Sequence, residues 1–149
     1  MTATTAAGAG FLLAVLWCDL MHDSQVRKYS EAELPSAVLA SICGYYRRVT
    51  TEAYPMNLLV ALVMLMIVAV LAAELFVGGA PRWASGLSLA LAVWGIAGTR
   101  RRTVPNARRL GAAQDTPQMQ STLARSIFRD HLLSFARMFV ILCLQLYAY

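Results

Sequence analysis

Two short stretches of the sequence carry the side chains that could do chemistry. In WCDLMHDSQV, Asp19, His22 and Asp23 are spaced i, i+3 and i+4, so they share one face of a predicted helix. In RDHLLSFARMF, near the C-terminus, the corresponding side chains are Asp130, His131 and Arg137. The two stretches contain both histidines of the chain. Carboxylates and imidazoles in this combination suit proton transfer or the binding of a transition metal.

The elements that must position these groups are predicted to be membrane helices. Hydrophobic residues make up 58% of the 149-residue chain and charged residues only 14%, with a mean hydropathy of +0.55. A soluble protein of this composition would expose large apolar patches, whereas a membrane protein places them in lipid. We predict an all-α fold, an integral membrane four-helix bundle. Its single domain, residues 1–149, has spans at about 6–24, 55–77, 83–99 and 128–147.

Basic residues predict the orientation of this bundle. The connections between spans one and two and between spans three and four, counted with Arg129 at the start of span four, hold eleven Lys and Arg residues. The short turn between spans two and three holds only Arg82. We therefore expect the two long connections in the cytoplasm or its organellar equivalent. Both termini then lie on the non-cytoplasmic side of a bacterial or organellar inner membrane.

Two further helical features are predicted outside the apolar spans. The stretch LPSAVLASICGYYRRV has apolar residues at helical spacing, with Pro35 in its first turn. It is expected to form an amphipathic helix at the membrane interface, or to continue into span two with a kink at Pro55. The last helix is predicted to begin at DTPQ, where Asp115 or Thr116 can cap it, and to project into the cytoplasm before the bilayer begins.

This orientation brings both histidines to the cytoplasmic leaflet. An ion pair between Asp19 and Arg137 is predicted, because an unpaired charge at that depth is unfavourable and arginine can extend toward the headgroups. Asp130 competes for the same arginine, since it lies on the same face of the last helix. In the opposite leaflet, Glu74 is expected to pair with Arg82.

The residue types leave four interpretations of the polar group open. It is a helix-packing clasp with an interfacial charge belt, or a metal site that draws on Asp19, His22, Asp23, Asp130 and His131. Within the metal interpretation, His22 and Asp23 are the favoured ligands. The third is a haem held between His22 and His131. The fourth is a metal-free acid–base site in which either histidine is oriented by an aspartate. The cofactor therefore stays unknown.

The basic connection TRRRTVPNARR is predicted to bind anionic lipid headgroups. It lacks the interleaved aromatic residues of a nucleic-acid-binding segment and is tethered at a membrane, so no nucleic-acid partner is expected. The sequence contains no P-loop, GxGxxG, GxSxG or HExxH motif. Nucleotide binding and the common hydrolase mechanisms therefore have no support.

The stretch VPNARRLG, followed by RDHLLSFARMF, resembles the C-terminal half of small anthrone-oxygenase-like membrane proteins. The matching residues are Asn106, Arg109, Leu110, His131 and Arg137. Phe128 stands where the pattern has Trp, and DLMHD has no counterpart. The resemblance covers residues 105–146 and implies a four-helix protein that oxidises an aromatic, hydrophobic substrate without a cofactor. It also implies that His131 is the base and that Arg137 or Asn106 stabilises the enolate.

Three functions follow from these observations. The first is a small membrane oxidoreductase whose catalytic residues are drawn from His131, His22, Asp19, Asp130 and Arg137. The second is a non-catalytic accessory or assembly subunit that packs against other membrane subunits. The third is a transporter or channel protomer. The third is disfavoured because the polar residues stop in one leaflet.

Overall fold

The computed structural model describes residues 2–78 and 81–147. Its helices are α1 (Thr2–Asp23), α2 (Ser36–Thr51), α3 (Met56–Val77), α4 (Arg82–Gly98), α5 (Val104–Ala112) and α6 (Pro117–Tyr147). A 3-10 turn, Ser24–Lys28, extends α1, and a π-helical turn, Thr99–Thr103, joins α4 to α5. The described residues contain no strand, so the all-α prediction is confirmed.

Two helices in the described part of the chain are long and apolar enough to cross a membrane. They are Thr2–Lys28, which is α1 with its 3-10 extension, and Met56–Val77, which is α3. Both coincide with predicted spans. By the same criterion α4, at 17 residues, is too short, and α6 carries many polar residues in its first half.

Four helices pack around one apolar core. Each of α1, α3, α4 and α6 contacts two of the others, in the cyclic order α1, α3, α4, α6. The core is formed by Ala9, Leu12, Ile67, Leu71, Ala92, Met138 and Ile141. Gly8 allows a close approach of α1 to α3, because a Cβ there would lie 3.0 Å from the Ile67 side chain. The predicted side-by-side packing of the first and last helices is present, and it is the most extensive helix contact in the structure.

A second apolar core lies at the end of the bundle where α1 ends and α3 begins. It joins α2, α5, the 3-10 turn and the first half of α6, which together are called the basic layer below. The buried residues include Val26, Leu34, Ile42, Tyr46, Leu110 and Ile127. The helix predicted from LPSAVLASICGYYRRV is therefore confirmed as α2. It stops at Thr51, so the alternative of one helix kinked at Pro55 is wrong.

The basic connection TRRRTVPNARR is helical, and no helix was predicted there. The π-helical turn continues the hydrogen bonding of α4, and Pro105 sits in the first turn of α5, where its missing N–H is tolerated. The crossing of α5 with α2 requires Gly111, since a Cβ at this position would lie 2.8 Å from the backbone nitrogen of Arg47. The start of α6 is as predicted, because Thr116 Oγ1 accepts a hydrogen bond from the Met119 N–H at 3.3 Å.

Candidate functional site

The candidate site lies where the four-helix bundle meets the basic layer. Three helices supply its side chains. Asp19 and Asp23 come from the last turns of α1, His131 comes from the middle of α6, and Tyr45 and Tyr46 come from α2. The packing of α1 against α6 brings the first two elements together, and α2 covers them from the basic layer.

His131 and Asp23 form a hydrogen-bonded pair. The distance between His131 Nδ1 and Asp23 Oδ2 is 2.7 Å, and only 1% of the Asp23 side chain is exposed. Tyr46 donates its hydroxyl to the other oxygen, Asp23 Oδ1, at 2.6 Å. Because an ionised carboxylate only accepts hydrogen bonds, Nδ1 carries the ring proton. The second ring nitrogen, Nε2, is then the one that can accept a proton.

Tyr45 makes the matching contact with the other aspartate of α1. Its hydroxyl donates to Asp19 Oδ1 at 2.6 Å. Burial, followed by the neighbouring carboxylates, raises the pKa of both Tyr45 and Tyr46 well above the ordinary value. Both phenols therefore remain protonated donors at neutral pH. Neither tyrosine was among the residues predicted for the site, although an adjacent tyrosine pair on a predicted amphipathic helix was an available signal.

Two adjoining clefts open beside this network, and both are lined by Asp19 and His131. The smaller, about 140 Å³, lies inside the bundle; its other lining residues are mostly apolar, with Thr99, Ser134 and Arg137 as polar exceptions. The larger, about 330 Å³, extends toward the basic layer and is also lined by Tyr46 and Asn57. Mostly apolar walls with a few convergent polar groups are typical of sites for small hydrophobic ligands.

The predicted ion pair between Asp19 and Arg137 is absent from the described residues. Asp19 is bonded by Tyr45 instead, and the guanidinium carbon of Arg137 lies 5.1 Å from the centre of the Trp94 ring on α4. Asp19 and Arg137 nevertheless line the same cleft.

Asp130 does not pair with Arg137 either. It accepts hydrogen bonds from Arg102, whose Nε lies 3.0 Å from Asp130 Oδ2, and from the hydroxyl of Thr103 at 3.3 Å. The carboxylate is buried and both partners belong to the π-helical turn. Asp130 therefore fastens α6 to the turn between α4 and α5, and it lines neither of the two clefts.

His22 lies at the exposed edge of the site and lines neither cleft. Its exposed ring stacks on Tyr45, with ring centres 4.0 Å apart and an interplanar angle of 10°, and its Nδ1 donates to the Cys18 carbonyl at 3.2 Å. The structure therefore does not bring His22 to Asp23 as a ligand pair, or to His131 as a haem-binding pair. Within residues 2–78 and 81–147, no three His, Cys, Asp or Glu side chains are grouped to hold a metal ion.

Two asparagines near the site differ in position, and only Asn106 is implied by the resemblance. Asn57 lines the larger cleft, and its Nδ2 donates to the Val49 carbonyl at 2.9 Å. Asn106 lies on α5 and lines neither cleft. Of the two groups that the resemblance implies for stabilising an enolate, only Arg137 is therefore in position.

Comparison of the chain with family models, curated proteins and solved structures finds no match. The resemblance to anthrone-oxygenase-like proteins therefore stays a prediction. A function is therefore inferred from the geometry of His131, Asp23 and the clefts beside them.

Proposed function

We propose that the protein spans a membrane four times, through α1, α3, α4 and α6. The support is a belt of exposed large apolar side chains around the bundle: Trp17, Leu58, Leu62, Leu65, Leu87, Val93, Leu133, Phe139 and Val140. Seventeen residues of α4 extend about 26 Å, close to the roughly 30 Å of a hydrocarbon core. In α6, the apolar half from Phe128 onward is the proposed span.

The basic layer is proposed to face the cytoplasm. Together with the adjoining π-helical turn, it carries the Lys and Arg residues of both long connections, in keeping with the distribution of positive charge in membrane proteins. Reporter fusions at the C-terminus test the orientation. We expect alkaline phosphatase to be active there and green fluorescent protein to be dark in a bacterial host. The opposite result would reverse the orientation.

We propose that the site abstracts a proton from a hydrophobic substrate that enters the cleft from the cytoplasmic leaflet. One observation carries this proposal: the imidazole of His131 is oriented by a buried carboxylate at 2.7 Å and lines a largely apolar cleft. Asp23 holds the ring in one tautomer and stabilises the cation that forms when Nε2 accepts a proton. The guanidinium of Arg137 lines the same cleft and would stabilise the substrate anion.

The overall reaction that the resemblance implies is an oxidation by dioxygen. His131 removes one proton from an activated CH₂ group of the substrate, and dioxygen accepts the electrons of the resulting carbanion. One oxygen atom becomes the new carbonyl oxygen, and the other leaves as water with both hydrogens of the CH₂ group. His131 returns its proton in the second half of the reaction, so the protein ends unchanged. The substrate class is a polycyclic phenol or its keto tautomer, such as anthrone.

The two histidines provide a matched pair of variants for the test. Oxygen uptake by the purified protein in detergent would be followed with anthrone. We expect His131→Gln to lower kcat by about 100-fold or more, because the base is lost. His22→Gln should stay within about twofold of the wild type, since its ring lies outside both clefts. Equal activities of wild type and His131→Gln would refute the proposed role of His131.

An accessory subunit remains the second candidate. The observation that favours it is that Asp19, Asp23 and Asp130 already have hydrogen-bond partners within the chain. Such a subunit would purify with a stoichiometric membrane partner. His131→Gln would then reduce the amount of complex without altering any turnover by the isolated chain.

A further inference from the structure

A group of buried polar side chains lies at the end of the bundle opposite the basic layer. The distal cluster, as it is called here, consists of Thr2, Thr5, Glu74, Ser85, Ser88 and Gln145, each at most 2% exposed. All four bundle helices contribute to it: the start of α1, the end of α3, the start of α4 and the end of α6. The proposed catalytic site uses none of these residues.

Contacts and helix register place these residues together. Ser85 donates its hydroxyl to Glu74 Oε2 at 3.0 Å, which joins α4 to α3. Gln145 donates from Nε2 to Ser88 Oγ at 3.3 Å, which joins α6 to α4. On α1, the position facing Ile67 is Gly8, and the buried face continues through Thr5 to Thr2 as α3 continues in the opposite direction to Glu74.

Four oxygen atoms of the cluster lack a hydrogen-bond partner among the described residues. They are Thr2 Oγ1, Thr5 Oγ1, Glu74 Oε1 and Gln145 Oε1. Buried polar atoms in proteins are almost always satisfied, so four such atoms at one end of a bundle require a partner. The contact between Gln145 and Ser88 uses the amide nitrogen, which leaves the amide oxygen as the free group.

Glu74 also lacks a compensating charge. The ion pair predicted with Arg82 is absent: the arginine is exposed, and no ion pair in the described residues involves Glu74. An ionised carboxylate buried in an apolar bundle is unfavourable unless a positive charge lies beside it. With Glu74 ionised, the cluster would combine one negative charge with several neutral oxygen ligands.

We infer that the distal cluster binds one monovalent alkali cation, Na⁺ or K⁺, between the Glu74 carboxylate and the free oxygens of Gln145, Thr5 and Thr2. Hard oxygen ligands select alkali and alkaline-earth ions over transition metals, which prefer imidazole and thiolate. A single carboxylate neutralises a monovalent ion, whereas a divalent ion would leave a buried net charge. Because the four oxygens come from three helices, the ion would fasten α1, α3 and α6 together.

Thermal unfolding of the purified protein in detergent tests this inference, and its outcome is independent of catalysis. Tm would be measured in NaCl, KCl and choline chloride at equal ionic strength. We expect Na⁺ or K⁺ to raise Tm by about 5 °C relative to choline, with saturation at high concentration. Equal Tm values in all three salts would overturn the inference, because water or a proton on Glu74 would then satisfy the cluster.

Single substitutions test whether the cation-dependent shift in Tm arises at the distal cluster. Glu74→Gln should abolish the shift, whereas Glu52→Gln, an exposed carboxylate at the end of α2, should keep it. Thr5→Val removes one free oxygen at nearly constant volume and should raise the half-saturating cation concentration by at least about tenfold. Should Glu74→Gln fail to fold, binding of ²²Na⁺ to the wild type provides a direct measure. A parallel measurement with ⁸⁶Rb⁺, which substitutes for K⁺, covers a K⁺-selective site. About one displaceable ion of either kind per chain supports the site, and binding of neither ion refutes it.

Discussion

His131 on α6 and Asp23 on α1 meet through a hydrogen bond of 2.7 Å that joins residues 108 positions apart in the chain. The contact lies at the junction of two apolar cores, one in the bundle and one in the basic layer. Tyr46 on α2 adds a second bond to the same carboxylate. This one aspartate therefore links three helices and both cores, and it also orients the imidazole beside the cleft.

The first prediction is that Asp23→Asn lowers the free energy of unfolding more than Asp19→Asn. Asp23 is almost fully buried and bonded to both His131 and Tyr46, so its replacement should cost about 3 kcal/mol. Asp19 is only partly buried and has one neutral partner, so about 1 kcal/mol is expected. The ion pair predicted between Asp19 and Arg137 would instead make Asp19→Asn the more destabilising change. Denaturant titration in detergent measures both values, and equal losses would contradict the structure.

The second prediction concerns alkaline pH. The pKa values of Tyr45 and Tyr46 are raised in the folded state, first by burial and then by their aspartates, from an ordinary value of 10.0. Above pH 10 the unfolded chain loses these protons while the folded protein keeps them, so stability falls as pH rises. Each tyrosine contributes a slope of about 1.4 kcal/mol per pH unit.

The double variant Tyr45→Phe/Tyr46→Phe provides the control for that slope. It should be less stable at pH 8, because Asp19 and Asp23 each lose a donor, but its stability should fall less steeply between pH 10 and 11. Urea midpoints measured across this range would show the difference. Parallel curves for wild type and variant would mean that both phenols titrate normally in the folded protein.

The sequence predicted the helices well, because apolar periodicity and capping residues are local signals. The 31-residue α6 from Pro117 to Tyr147 begins and ends where the sequence predicted. The predicted contact of α1 with α6 is also present. The convergence of His131 with the acidic end of α1 was predictable from the contact of these two helices. Helix length does not determine which side chain of each turn faces the neighbouring helix.

The wrong predictions for His22 and Arg137 arise because the sequence does not fix the rotation of each helix about its own axis. His22 and Asp23 are consecutive, so their side chains differ by about 100° around α1; once Asp23 faces α6, His22 must face elsewhere. Arg137 contacts Trp94 of α4, and no local sequence pattern reveals where Trp94 lies against α6. The tyrosines of α2 were missed because an aromatic residue beside arginines also fits a headgroup zone.

The third prediction tests whether Arg137 acts through its position in the cleft or only through the positive charge at the basic end of the bundle. Arg137 lines the smaller cleft with His131, so Arg137→Met should lower kcat of the proposed oxidation by about 100-fold while leaving KM within a few-fold. Arg129→Met removes an exposed arginine of the same helix and should leave kcat unchanged. A uniform loss in both variants would assign the effect to surface charge and not to stabilisation of the anion in the cleft.

The fourth prediction tests whether the basic layer is held by the close crossing of α2 and α5. Gly111→Ala would place a methyl group 2.8 Å from the backbone nitrogen of Arg47, and backbone cannot move aside as a flexible side chain can. We expect a loss of about 2 kcal/mol in unfolding free energy.

Gly98→Ala is the matched control: it lies at the end of α4 with no atom within 4 Å of the new Cβ. Since alanine favours helix over glycine, that variant should gain up to about 1 kcal/mol. If both variants had the same stability, α2 and α5 would not pack as closely as the structure describes, and the support that α2 gives to Tyr46 and Asp23 would be lost with that contact.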